Sequence, residues 1–167
     1  QTQLQEEYSN LCGLPTFSDQ LYLPHGLKGY FDIQEGFECA RKLNKPVFLD
    51  FKGHVCTNCK AMEAKVWSDP RVLELLRDEF VIIGIYTDDR TQLSEDKWVR
   101  LENGKVLKTI GKINMHYQIE NFNTNTIPYY AIVDLQGNPL VEPEGYNLDI
   151  ENFIAFLKTG KQAFYAK

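Results

Sequence analysis

The chain has 167 residues, 43% of them hydrophobic and 13% aromatic, with four cysteines and a formal net charge of −5. That length predicts one domain with an extension, and the apolar share is ample for a core. The acidic balance argues against nucleic acid or an anionic membrane as partner, no apolar run is long enough to span a bilayer, and the cysteines are too few for a disulfide framework.

Residues 1–30 carry little periodic signal. Gly13, Pro15, Pro24, Gly26 and Gly29 punctuate them, so they read as a linker or N-terminal arm. Leu11, Leu14, Phe17, Leu21, Tyr22 and Leu23 are numerous enough for part of the arm to pack on the body. The chain opens on Gln1 without a signal peptide, which reads as a processed or excised piece. Cys12 reads as a half-buried small residue, and a bond to Cys39 is the alternative.

The folded domain is read over residues 31–167. Asp32 is placed to cap a helix, with Glu35 three residues on completing a capping box. Ile33, Phe37, Ala40 and Asn44 mark one face of that helix, which ends before Pro46. Val47 to Phe51 is a short apolar run suited to a central strand, and Gly53 lets the chain turn. Cys56-Thr57-Asn58-Cys59 then opens a helix of good formers, Lys60 to Lys65. The unpaired N–H groups at a helix start favour a thiolate, which makes Cys56 the attacking sulfur. Cys59, one turn on, is placed to resolve a mixed disulfide. Zinc is the competing reading, but a second Cys-x-x-Cys is missing, and His54 lies too near Cys56 to complete a common pattern. His54 itself reads as a solvent-facing loop residue.

Asp69-Pro70 starts a new helical segment, and Phe80 to Tyr86 reads as a second buried strand. Residues 87–109 read as an insert: Asn103-Gly104 between two short runs is a hairpin signal. Ile110, Ile113 and Tyr117 recur at helical spacing up to Phe122. Ile127-Pro128 enters a strand, Tyr129 to Asp134, which a turn at Gln136-Gly137-Asn138 pairs with an antiparallel edge strand over Pro139-Leu140-Val141. Ile150, Phe153, Ile154 and Leu157 make an amphipathic helix, with Gly160 as its C-terminal cap.

This order, β-α-β, a helix, then X-Pro-β-β-α with Cys-x-x-Cys after the first core strand, resembles the thioredoxin fold: α/β, a mixed central sheet flanked by helices. Lys45 to Asp50, Cys56 to Lys60, Glu63 and Ser68 to Val72 look like the C-terminal periplasmic thioredoxin-like domain of the DsbD family. The resemblance implies a protein-disulfide reductase, with no cofactor beyond the redox-active cysteine pair. It implies a transmembrane electron-donor domain, periplasmic thioredoxin-like proteins as disulfide partners, and a monomer as the isolated domain. Asp50 matches the buried acid of thioredoxins, and Glu63 a second acid of the subgroup. A buried carboxylate there would take the proton of Cys59 and oppose thiolate formation. Pro128 matches the family's cis proline, which exposes the backbone of Ile127 to an extended substrate; Val55 and Thr57 complete the substrate rim. Val55 stands where many thioredoxins carry tryptophan, and Thr57-Asn58 replaces Gly-Pro, which alters the rim and the redox potential. A redox-inactive binding module and a dithiol oxidant are the alternative functions.

Overall fold

In chain order the elements are α1 (Gln3–Glu7), α2 (Ile33–Leu43), β1 (Val47–Lys52), α3 (Thr57–Met62) and α4 (Pro70–Glu79). There follow β2 (Val81–Tyr86), β3 (Val99–Arg100), β4 (Val106–Leu107), α5 (Ile110–Phe122), β5 (Tyr129–Val133) and α6 (Ile150–Tyr165). The structure, a computed structural model, describes residues 2–166, so Gln1, where the arm was placed to begin, and Lys167, where the domain was placed to end, lie outside it.

Three apolar runs form the main sheet, in the order β2-β1-β5. β1 is parallel to β2 and antiparallel to β5, and every β1 residue is buried. Alternation along the strands divides the core in two. Phe48, Ile82, Tyr130 and Ile132 face Met62, Trp67, Leu76, Phe153 and Leu157 on one side. Leu49, Phe51, Ile83, Ile85 and Val133 face Phe37, Ala40, Tyr117 and Phe122 on the other. Helices thus cover both faces of a mixed sheet, the α/β architecture expected.

Asp32 caps α2 by accepting from the Glu35 N–H at 3.0 Å. The expected capping box is not closed. The Glu35 carboxylate instead accepts from the Thr16 backbone N–H and hydroxyl, at 2.9 and 2.8 Å, and so ties the arm to α2. A second tie is the Cys12–Cys39 disulfide, so the alternative reading of Cys12 holds in place of a half-buried small residue. Beyond these ties Leu21, Leu23 and Leu27 are buried, and Tyr30 bridges Ile83 in parallel at the β2 edge.

Three further local expectations change. The β3–β4 hairpin forms, but its turn is wider than a two-residue Asn-Gly loop: Leu101 N–H donates to the Lys105 carbonyl, and Gly104 takes φ +89°. That is a three-residue loop with glycine in the left-handed position. Pro139-Leu140-Val141 does not form a strand. It makes an isolated bridge, Val133 to Pro139, and the chain returns at Tyr130 to Glu144; prolines at 139 and 143 remove two N–H donors from that edge. Gly160 does not end α6 but lies within it, against Ile132, where a Cβ would sit 2.5 Å from Ile132 Cδ1. It is a close-packing glycine rather than a cap.

Candidate active site

Cys56 is the N-cap of α3, and its sulfur accepts from the Cys59 N–H at 3.2 Å. The two cysteines are joined as a disulfide. Cys56 is 8% exposed and Cys59 2%, while Val55 beside them is 90% exposed. Thr57 is also exposed, so the pair lies just under an open rim. The helix that starts here runs through one π turn, Glu63–Trp67, which carries Glu63 back toward β1.

The end of β1 supplies the charges. Asp50 and Lys52, two apart, point to the same face of the strand. The Lys52 ammonium lies 2.8 Å from Glu63 Oε2 and 3.5 Å from Asp50 Oδ2. Burial pushes the Asp50 carboxyl up to about 6; Lys52 opposes that rise and Glu63 adds to it. For Lys52, burial alone would lower the ammonium, but Asp50 and Glu63 outweigh it and hold the proton firmly. Lys52, Glu63 and Cys59 line one cleft of about 260 Å³, with Gly53, His54, Lys60, Tyr86, Tyr22, Leu23 and Pro24.

The peptide Ile127–Pro128 is cis. β5 pairs Tyr129 with Phe51, so Pro128 sits at the end of β1 where the cysteine loop departs. Pro128 is buried and Ile127 half-buried, and Ile127 Cδ1 packs against Gly53, where a Cβ would be 3.0 Å away.

His54 is an exposed loop residue, as read, but it is anchored. Its ring stacks on Tyr86 with centroids 4.3 Å apart, and Nε2 is 2.7 Å from Asp89 Oδ2. Burial of Asp89 would raise its carboxyl, but hydrogen bonds from Thr91 and His54 hold it below the usual range. The neighbouring Asp88 carboxylate accepts from the His54 and Val55 N–H groups, at 2.8 and 3.1 Å, and so fixes the cysteine loop from the end of β2.

Sequence reasoning missed Lys52, Asp88, Asp89, Tyr86 and the arm's share of the cleft. Lys52 left a trace: a lysine closing a strand of buried residues. Asp88-Asp89 directly after β2 is the other trace. Nothing in residues 22–25 signalled that Tyr86 Oη would donate to the Tyr22 carbonyl at 2.9 Å, or that His25 Nε2 would lie 2.7 Å from the Glu63 carbonyl oxygen.

Residues 33–161 match the family model described as a thioredoxin-like domain. The chain belongs to the thioredoxin-like domain family. Solved structures agree on the fold of this thioredoxin-like domain. A DsbH oxidoreductase superposes with TM-score 0.60 at 14% identity, covering 86% of this chain and 92% of that one. The reduced C-terminal domain of Neisseria meningitidis DsbD gives 0.51 at 18% identity, covering 77% and 93%. A thioredoxin from Thermus thermophilus gives 0.52 at 16%, covering 78% and 84%. Human spermatogenesis-associated protein 20 is 32% identical over 62 residues, which are 37% of this chain and 8% of that protein. This chain therefore spans a small fraction of that relative. A thioredoxin fold with a bonded Cys-x-x-Cys at a helix start has the parts for thiol–disulfide exchange.

Proposed function

We propose that this domain is a protein thiol–disulfide oxidoreductase that works reductively in the periplasm, relaying electrons from a membrane-embedded donor to disulfides of thioredoxin-like partners. The observation that carries the reading is the Cys56–Cys59 pair, bonded at the mouth of α3 beneath an exposed rim. In the reduced state the Cys56 thiolate attacks one sulfur of a partner disulfide. A Cys56–partner bond forms, the partner's S–S bond breaks, and the released thiolate takes a proton. Cys59 then loses its proton and attacks the Cys56 sulfur, which closes the Cys56–Cys59 bond and expels the second partner thiolate. Two electrons and two protons reach the partner, and a donor dithiol must restore the pair. Asp50 and Glu63 are the carboxylates assigned to the Cys59 proton. Ile127, Pro128, Val55 and Thr57 are the surface assigned to an extended partner segment.

The combined resemblance of Lys45 to Asp50, Cys56 to Lys60, Glu63 and Ser68 to Val72 to the DsbD family, and the DsbD and DsbH folds among the structural neighbours, support the reductive, periplasmic reading. No helix among the described residues is long and apolar enough to cross a membrane, so a membrane donor would be supplied from elsewhere. One observation favours a second reading, that of a dithiol oxidant: Lys52 stands between the acids that would otherwise destabilise the thiolate. The test is arrest of the cycle. Cys59→Ala should stall as a mixed disulfide through Cys56, and equilibration with a glutathione buffer should leave the wild-type pair more reducing than glutathione. A pair more oxidising than glutathione would select the oxidant.

A further inference from the structure

α5 turns two buried amides, one helical turn apart, onto backbone carbonyls that frame the site. Asn114 Nδ2 donates to the Tyr86 carbonyl at the end of β2 at 2.8 Å, and Gln118 Nε2 donates to the Thr126 carbonyl at 2.7 Å. Residues four apart share a helix face, so both grips come from one side of α5. Gln118 is 0% exposed, and its Oε1 accepts no hydrogen bond among the described residues. A buried oxygen left unpaired is costly, and an apolar side chain would avoid that cost. What glutamine supplies here is its one bond to Thr126. The Thr126 N–H is held on the outer side by Thr124 Oγ1 at 3.2 Å, so the segment is fixed from both sides. The tilt of that peptide decides the next donor. The Thr126–Ile127 bond is trans, and in a planar trans unit the N–H points opposite to the C=O. With the Thr126 oxygen aimed at Gln118, the Ile127 N–H is aimed away from it. That N–H donates to no acceptor among the described residues. An unpaired N–H on half-buried backbone is uncommon, and this one lies beside Pro128, on the segment assigned above to an extended partner.

We propose, on the exchange reading above, that Gln118 is a positioning residue for partner binding: by gripping the Thr126 carbonyl from the core side it sets the tilt of the Thr126–Ile127 peptide and presents the Ile127 N–H to a main-chain carbonyl of the partner segment beside its disulfide. Gln118 acts through Thr126 alone. Its hold is firm because Asn114 ties the same helix to β2, the strand that leads to Asp88 and, through Asp88, to the cysteine loop. α5 thus fixes the cysteine loop and the Ile127 segment against each other. The group recognised is main chain, not side chain. The effect therefore falls on disulfides embedded in an extended polypeptide, and not on a disulfide that has no main chain.

The test compares two disulfides, each turned over by the domain with a small dithiol as donor: insulin, and dithiobis(nitrobenzoate), which has no main chain. Gln118→Met keeps the length of the side chain but cannot donate. It should raise KM for insulin about tenfold, the weight of one hydrogen bond, with kcat little changed, and reduce dithiobis(nitrobenzoate) at the wild-type rate. Gln118→His, whose Nε2–H can reach the same carbonyl, should recover most of the loss. A folded Gln118→Met variant with the wild-type KM for insulin overturns the inference, as does an equal slowing with both disulfides. If Gln118→Met does not fold, amide exchange at Ile127 is read by NMR with Gln118 in place. The amide should be open in the free domain and protected in the mixed disulfide that Cys59→Ala forms with insulin. An Ile127 amide already protected in the free domain, or still open in the adduct, overturns the inference. A wild-type domain that reduces no insulin refutes the proposed function instead, whatever the variants do.

Discussion

Asp50 shows how one buried side chain sets a pH dependence. Its carboxyl is 1% exposed and is pushed from 3.8 up to about 6, chiefly by burial. The folded state therefore holds this proton more tightly than the unfolded chain. The contribution is fully present below the unfolded value and is lost as pH rises through the folded one. Wild type should accordingly lose on the order of 3 kcal/mol, relative to Asp50→Asn, between pH 3.8 and pH values above about 6. Denaturant unfolding at several pH values reads this directly; parallel curves for the two proteins would contradict it. Residues whose role follows from neighbours in the chain were legible in advance. Cys56 and Cys59 stand out because strand, glycine and Cys-x-x-Cys follow one another. Lys52 and Asp88 were not, because their roles arise only when the π turn or the cysteine loop folds onto them.

At the scale of elements, the position of α5 governs the cysteine loop. Gly111, in its first turn, donates its N–H to the Asp89 carbonyl at 2.9 Å, and a Cβ there would lie 2.7 Å from that oxygen and 2.9 Å from the Asp89 nitrogen. These are backbone atoms that a rotamer change cannot move. Alanine would gain about 1 kcal/mol of helix propensity, but overpacking costs about 1–3 kcal/mol. Gly111→Ala should therefore destabilise the domain by up to about 2 kcal/mol. It should also slow disulfide reduction, since the adjacent Asp88 holds the N–H groups of His54 and Val55. Unchanged melting and turnover would show that α5 does not brace the loop. Element type followed from periodicity where the runs were long: α2, β2, α5 and β5 lie where their apolar spacing put them. The misreadings were local. Gly160 resembles a cap in sequence, yet Ile132 demands a residue without a side chain there. Pro139 and Pro143 left the expected edge strand too few donors to pair continuously.

The whole molecule is a thioredoxin-like domain with an arm drawn across it. The arm is covalently fixed by Cys12–Cys39, joins the sheet edge at Tyr30, and ends one side of the cleft at Tyr22 to Pro24. The arm's apolar residues announced its packing, but two cysteines 27 residues apart offered their bond only as an alternative, and the arm's place at the cleft left no sign in spacing. Closing that loop should contribute about 3–4 kcal/mol through the unfolded chain's entropy. The double variant Cys12→Ser/Cys39→Ser should be less stable by a similar amount in denaturant, while the Cys56–Cys59 pair still cycles; equal stability would show that the arm holds by packing alone. The claim on which all else rests is that Cys56 attacks and Cys59 resolves. Its most direct test is to mix reduced Cys59→Ala and, separately, reduced Cys56→Ala with a disulfide-bonded protein and weigh the products. Cys59→Ala should accumulate a covalent adduct at Cys56 that a small dithiol releases, and Cys56→Ala should give none. Adducts at Cys59 alone, or none with either variant while wild type turns over, would contradict the account.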